Sequence, residues 1–123
     1  AVALWRVRRL GAATLTGLLA TALNFALRPG ATHFLGFTAA SLVYDLLARA
    51  VGYGRCFSAR YGPALQAAVG TVSTWAAGLI IGAFFMGGSV PILYFSALHA
   101  VGGLIGSTIG AILIGSAERR LKP

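Results

Sequence analysis

The chain has 123 residues, of which 58% are hydrophobic and only 10% are charged, and its mean hydropathy is +0.83. Soluble domains carry about 25% charged residues, so this composition excludes an ordinary water-soluble domain and indicates an integral membrane protein. The net charge of +8 does not indicate nucleic-acid binding, because the basic residues stand at the ends of apolar runs and not along one face.

The length predicts a single membrane domain that covers residues 1–123. The one cysteine, Cys56, cannot form an internal disulfide and has no metal-ligand residues beside it. The sequence also has no Ser/His/Asp set, no pair of carboxylates and no phosphate-binding glycine loop followed by Lys. We therefore expect neither an enzyme nor a bound cofactor or metal.

Four apolar runs approach the roughly 20 residues that a helix needs to cross a hydrocarbon core about 30 Å thick. We predict spans at residues 10–27, 32–51, 64–86 and 91–115, with a basic inner loop at residues 52–63. Pro29, Pro63 and Pro91 fall at the edges of these runs, where proline does not disturb a helix. The predicted fold class is an all-α, polytopic membrane protein with four transmembrane helices.

The basic residues predict the orientation of these spans. With four crossings, nine of the ten Lys and Arg residues lie on one side, and only Arg28 lies on the other. Because cytoplasmic loops carry an excess of Lys and Arg, both ends of the chain are expected in the cytoplasm, as in a multi-pass protein of the cell membrane. The first span is too long for the apolar region of a signal peptide. In the inner loop, Arg55 and Arg60 are expected to contact either anionic lipid head groups or a partner protein.

Small residues spaced four apart predict places where two helices approach closely, because lipid gives no hydrophobic drive for helix association. Such pairs also arise by chance in a chain rich in Gly and Ala, and the three glycines in register in span four are the strongest signal. The contact of span four is expected either within the chain or between subunits. The predicted packing residues are Ala22 and Ala26 in span one, Gly78 and Gly82 in span three, and Gly102, Gly106 and Gly110 in span four.

A few polar side chains lie within the apolar runs. We predict that Asn24, Thr74, Trp75 and His99 orient a small ligand in a mostly apolar cavity, because intramembrane polar groups seldom face lipid. The alternative for the hydroxyls is a hydrogen bond to a carbonyl of their own helix. Haem ligation by two histidines is disfavoured, because His33 stands at the outer edge of span two while His99 lies deeper.

Asp45 is the one acidic residue inside a predicted span. Arg49 follows it at i+4, in the favourable acid-first order and near the C-terminal end of the helix. We therefore predict an interfacial ion pair between Asp45 and Arg49 that anchors span two beside the inner loop. The alternative is a proton- or ion-coupling site, which would usually lie deeper and have other polar partners.

Three segments together resemble the membrane-embedded substrate-binding components of energy-coupling factor vitamin transporters, particularly archaeal ones. They are "LRPGATHFLGFTAASLVYDLLAR", "AAVGTVSTWAAGLIIGAFF" and "SALHAVGGLIGSTIGAIL". That family typically has six spans, whereas four are predicted here. Its first helix carries an alanine-xxx-alanine pair that docks on the coupling subunit, and Ala22 and Ala26 match that spacing. The resemblance implies a binding component for a vitamin-like small molecule that associates with a coupling subunit and two ATPases.

The primary functional hypothesis is therefore the small-molecule-binding component of an uptake transporter. The alternative is a non-catalytic structural or assembly subunit of a larger membrane complex or a homo-oligomer, including a hydrophobic filament subunit. Membrane lipids and either other membrane subunits or further copies of the chain are the expected partners, without nucleic acid.

Overall fold

The computed structural model describes residues 1–89 and 91–121, and these are 82% helical with no strands. The elements in chain order are α1 (Val2–Val7), α2 (Ala12–Leu27), a 3-10 turn (Thr32–Phe34), α3 (Leu35–Val51), α4 (Tyr53–Cys56), α5 (Gly62–Phe84) and α6 (Ile92–Leu121). Lys122, one of the predicted inner basic residues, lies outside the described residues.

Three helical stretches are long and apolar enough to cross a membrane: Thr32–Val51, Gly62–Phe84 and Ile92–Leu121. α2 is also apolar but has only 16 residues, which gives a length of about 24 Å. Large apolar side chains point outward from the helices, and Leu19 and Ile112 are 64% and 62% exposed. Such an outer surface would be unfavourable in water and is expected against lipid. The all-α, polytopic membrane fold that the sequence predicts is thus confirmed.

The helix ends differ from the predicted ones where no strong stop signal stands in the sequence. α6 continues to Leu121, six residues beyond the predicted end at 115, because residues 116–121 contain neither Gly nor Pro. The predicted second span begins with the 3-10 turn before α3 starts at Leu35. The first nine residues, which precede the first predicted span, contain the short helix α1.

The four long helices pack in chain order as a row: α2 against α3, α3 against α5, and α5 against α6. Glycines permit the close approaches. A Cβ on Gly17 would lie 2.8 Å from the carbonyl oxygen of Phe37, and a Cβ on Gly78 would lie 2.8 Å from the Cα of Ser96. Neither position can hold a larger residue without movement of backbone, so these two glycines fix the α2/α3 and α5/α6 contacts.

We use two names for the ends of this row. The basic end contains the start of α2, the end of α3, the start of α5 and the end of α6, and the turn end contains the connections at residues 28–34 and 85–89. At the basic end, α1 contacts both α2 and α6 and so bridges the two outer helices of the row. Leu4 of α1 is fully buried there, and the Trp5 Nε1–H donates to Glu118 Oε1 of α6 at 3.1 Å. The buried cluster at this end consists of Leu4, Ala13, Tyr44, Ala48, Cys56, Phe57, Val69 and Ile114.

The face of α6 that packs inside the chain is rotated relative to the predicted one. Gly103 and Ser107 meet α5, where a Cβ on Gly103 would lie 2.8 Å from the carbonyl oxygen of Gly70, and Gly110 meets Ala1. A Cβ on Gly102 or Gly106 would meet nothing within 4 Å, so these two glycines do not make the predicted contact within the chain. We attribute the rotation of α6 about its axis to the close contact at Gly78 of α5, against which Ser96 and His99 of α6 pack.

Of the other two predicted packing pairs, one makes a close helix contact within the chain and one does not. Gly78 and Gly82 are buried in α5 against α6, with Ile92 3.0 Å from a Cβ built on Gly82. Ala22 and Ala26 are exposed on α2, whose buried face is made by Ala13, Gly17 and Thr21. The alanine pair therefore makes no close helix contact within the described part of the chain.

Candidate ligand cavity and buried carboxylate

Asp45 is fully buried and binds the beginning of α2. Its Oδ2 accepts hydrogen bonds from the Thr14 backbone N–H at 2.7 Å and from Thr14 Oγ1 at 2.6 Å, and its Oδ1 accepts from the Ala13 N–H at 3.3 Å. The first N–H groups of a helix have no partner within the helix, and Gly11, the N-cap residue, offers no side chain to them. Asp45 is therefore a cap supplied by α3 to the positive end of α2.

This arrangement corrects the predicted ion pair between Asp45 and Arg49. Arg49 is exposed, and no salt bridge joins it to Asp45 in the described ranges, because both carboxylate oxygens face α2. Spacing along one helix cannot reveal a partner that stands 31 residues earlier in the chain. The structure thus gives the Asp45 carboxylate a structural partner that the i+4 rule missed.

A cavity of about 590 Å³ lies toward the turn end, between α3, α5 and α6; we call it the outer cavity. Its wall is largely aromatic and aliphatic, with polar atoms from few side chains. The Phe34 and Phe37 rings are stacked with centroids 5.9 Å apart, and the Phe95 and His99 rings lie 4.4 Å apart. The lining residues are His33, Phe34, Gly36, Phe37, Ala40, Thr74, Ala77, Ile81, Met86, Phe95, Leu98, His99, Gly102 and Gly103.

Two of the four predicted ligand residues, Thr74 and His99, come together at this cavity. His99 Nδ1 lies 2.9 Å from the carbonyl oxygen of Phe95. Since a carbonyl oxygen only accepts, this contact uses a hydrogen on Nδ1, and Nε2 is the ring nitrogen left for a ligand. Thr74 Oγ1 donates to the Gly70 carbonyl at 3.0 Å. This is the alternative given for the hydroxyls, a hydrogen bond to a carbonyl of their own helix.

The other two predicted ligand residues lie elsewhere. The Asn24 side chain donates to the Ala20 carbonyl of its own helix at 2.7 Å, and Asn24 does not line the cavity. Trp75 follows Thr74 directly, so its side chain leaves α5 in another direction and is 44% exposed. Sequence reasoning missed the aromatic wall, although Phe34 and Phe37 stand three residues apart, the spacing of one helix face.

A second cavity of about 450 Å³, the inner cavity, lies toward the basic end and is partly covered by residues 1–3. Hydroxyl groups are more frequent in its wall than in that of the outer cavity. The lining includes Thr16, Ser41, Tyr44, Ser73, Thr74 and Ser107, together with Gly70, Gly102, Gly103 and Gly106.

The connection between α3 and α5 carries the remaining predicted contact residues. Arg55 and Arg60 are exposed, and the Arg60 guanidinium lies 5.2 Å from the centroid of the Tyr61 ring. Cys56 beside them is buried, and burial raises the pKa of its thiol. Among the described residues, no group of three His, Cys, Asp or Glu side chains forms a metal-binding cluster.

The fold and the outer cavity define a class: an integral, multi-pass, all-α membrane protein with a mostly apolar cavity between its helices. In comparisons with known proteins, no protein-family model, curated protein or solved structure matched the chain.

Proposed function

We propose that the protein is the small-molecule-binding component of an uptake system and holds its ligand in the outer cavity. The observation that carries the proposal is the outer cavity itself, with a volume of about 590 Å³ and an apolar wall that includes Thr74 and His99. Ligand sites are typically concave, mostly apolar and about 300–1,000 Å³ in volume, with a few polar groups that orient the ligand.

The position of the cavity supports uptake from the side of the turn end. His33 and Met86, which belong to the turn end, both line it. From the positive-inside bias we expect this end on the outer side of the membrane, which we expect to be the cell membrane. A vitamin-like molecule with a flat ring fits the stacked phenylalanines of the wall, because aromatic rings add favourable contact geometry to their apolar area. A coupling subunit and ATPases are the partners that such a component would need.

The test begins with the protein purified in mild detergent from its natural membranes. Native mass spectrometry is expected to detect a bound small molecule, and ATPase subunits are expected to co-purify. Gly102→Phe should abolish the bound mass, because Gly102 lines the cavity and has no atom within 4 Å of a Cβ built there. Gly115→Phe is the matched control, since Gly115 has the same free space but does not line the cavity. Retention of the molecule by Gly102→Phe would contradict the proposed site.

The alternative, a structural or assembly subunit, has one observation of its own. Gly102 and Gly106 present open space on α6, where a helix of another subunit finds room for close approach. Light scattering in detergent distinguishes the two functions. A defined oligomer without a bound molecule or ATPase subunits would favour the assembly role and contradict the transporter.

A further inference from the structure

The outer and inner cavities are two parts of one groove. They share Ala40, Thr74, Gly102 and Gly103 in their walls, so they adjoin at the level of Thr74. The outer part is aromatic, whereas the inner part carries most of the hydroxyl groups. A ligand that extends through both parts therefore needs an apolar end and a polar end.

Three of the six hydroxyl groups that line the groove are left as acceptors only. A hydroxyl has one hydrogen, and three of these hydroxyls already donate it to a carbonyl of their own helix: Thr16 to Ala12 at 2.9 Å, Ser73 to Val69 at 2.6 Å and Thr74 to Gly70 at 3.0 Å. Only their lone pairs remain for a ligand. His99 adds Nε2 in the outer part, since its Nδ1 hydrogen is directed to the Phe95 carbonyl.

Ser107 supplies a donor. It is only 8% exposed, it lines the inner cavity, and its hydroxyl has no hydrogen-bond partner in the part of the chain that the structure describes. Tyr44, also 8% exposed and in the same wall, likewise has a hydroxyl without a partner there. Buried polar groups are normally paired, so unpaired hydroxyls beside a cavity indicate a missing hydrogen-bonding group.

Among the described residues, no Asp, Glu, Lys or Arg side chain lines either part of the groove. A carboxylate would place its charge against the lone pairs of Thr74 and Thr16, and an ammonium group would lose its hydration without a counterion. A primary carboxamide avoids both costs, because it is neutral and offers two N–H hydrogens to lone pairs and one carbonyl oxygen to a free hydroxyl.

We propose that the groove binds an elongated, uncharged molecule whose aromatic ring occupies the outer cavity and whose primary carboxamide lies between Thr74 and Ser107. This inference rests on the proposed function and specifies the chemistry of its ligand.

The experiment compares four probes that share one ring: 3-phenylpropanamide, its N,N-dimethyl derivative, 3-phenylpropanoate and propylbenzene. Binding to the full chain in detergent is measured by ligand-observed NMR titration. The primary amide is expected to bind about tenfold more tightly than the dimethyl amide, as two neutral hydrogen bonds of modest net value imply, and the carboxylate is expected to bind most weakly.

Two variants locate the amide. Thr74→Val should reduce the preference for the primary amide over the dimethyl amide, because Thr74 accepts from the amide N–H. Ser107→Ala should weaken the binding of both amides alike, because Ser107 donates to the carbonyl oxygen that both carry. Propylbenzene affinity should stay unchanged in both variants. Ser107→Ala removes a single oxygen, which keeps the test valid if Thr74→Val does not fold. Thr108→Val is the control, because Thr108 is exposed on α6 and donates to Leu104 of its own helix at 2.8 Å.

The possible failures are distinguishable. If propylbenzene binds but the carboxylate binds as tightly as the amide, or Ser107→Ala leaves the affinity for both amides unchanged, the carboxamide inference is overturned and the cavity as a ligand site stands. If no probe binds, propylbenzene included, both proposals are overturned.

Discussion

Replacement of Asp45 by Asn tests the main structural role assigned to the carboxylate. The buried side chain accepts three hydrogen bonds, two from Thr14 and one from the Ala13 N–H. The Asn oxygen can keep the Thr14 bonds in neutral form, but its NH₂ group would face the Ala13 N–H, and the charge at the helix N-terminus is lost. Hydrogen bonds to charged groups contribute about 1.5–3 kcal/mol each and neutral ones about 1 kcal/mol.

We therefore expect Asp45→Asn to lower the free energy of unfolding by about 2–3 kcal/mol, and Asp45→Ala to lower it further. The assay is reversible unfolding by SDS in mixed micelles, followed by circular dichroism. Arg49→Gln is the control and should change stability by no more than about 0.5 kcal/mol, since Arg49 is exposed. An equal loss of unfolding free energy in Arg49→Gln and Asp45→Asn would support the ion pair and refute the role of Asp45 as a helix cap.

Three further predictions concern packing and accessibility. Gly78→Ala should destabilise the protein by about 1–3 kcal/mol in the same SDS assay, because the new Cβ would lie 2.8 Å from the Ser96 Cα. Gly102→Ala should be neutral or stabilising, because a Cβ at Gly102 has free space. Equal effects of the two substitutions on stability would contradict the observed rotation of α6. Trp5→Phe removes the hydrogen bond to Glu118 and should speed amide hydrogen exchange in α1, and Trp75→Phe, at an exposed site, should not. At pH 7, Cys56 should react with maleimide far more slowly in the folded protein than in SDS, because burial both blocks access and raises the thiol pKa. Fast labelling in mild detergent would show that the buried cluster at the basic end is open to the reagent.

The apolar runs predict the long helices well, because length and hydropathy decide which segments can cross lipid. The rotation of each helix is harder to predict. α6 is apolar on all sides, and two of its faces carry small residues. The face with glycines at 102, 106 and 110 matches the packing pattern as well as the face with Gly103 and Ser107, which is the one that packs against α5. In α2 the exposed Ala22/Ala26 pair and the buried Ala13/Gly17 pair have the same spacing.

The candidate site was predictable only in part for a related reason. Thr74 and His99 are polar residues well inside long apolar runs, and this position was enough to predict that they line a cavity. Asn24 carries the same signal, but its amide is satisfied by Ala20 within one turn of its own helix. A sequence does not distinguish a polar group that is satisfied locally from one that faces a cavity, because both need the same residue types.

The order of the row bears on how the chain assembles during synthesis. Each long helix packs against the long helix made just before it, so it meets its partner as soon as it enters the bilayer. Contacts between neighbours in sequence close short loops and form quickly. The bond from Trp5 to Glu118 spans 113 residues and can form only after α6 is complete. The junction of α1 with α6 would then be the last contact made, and the covering of the inner cavity by the N-terminal residues would mark a finished molecule.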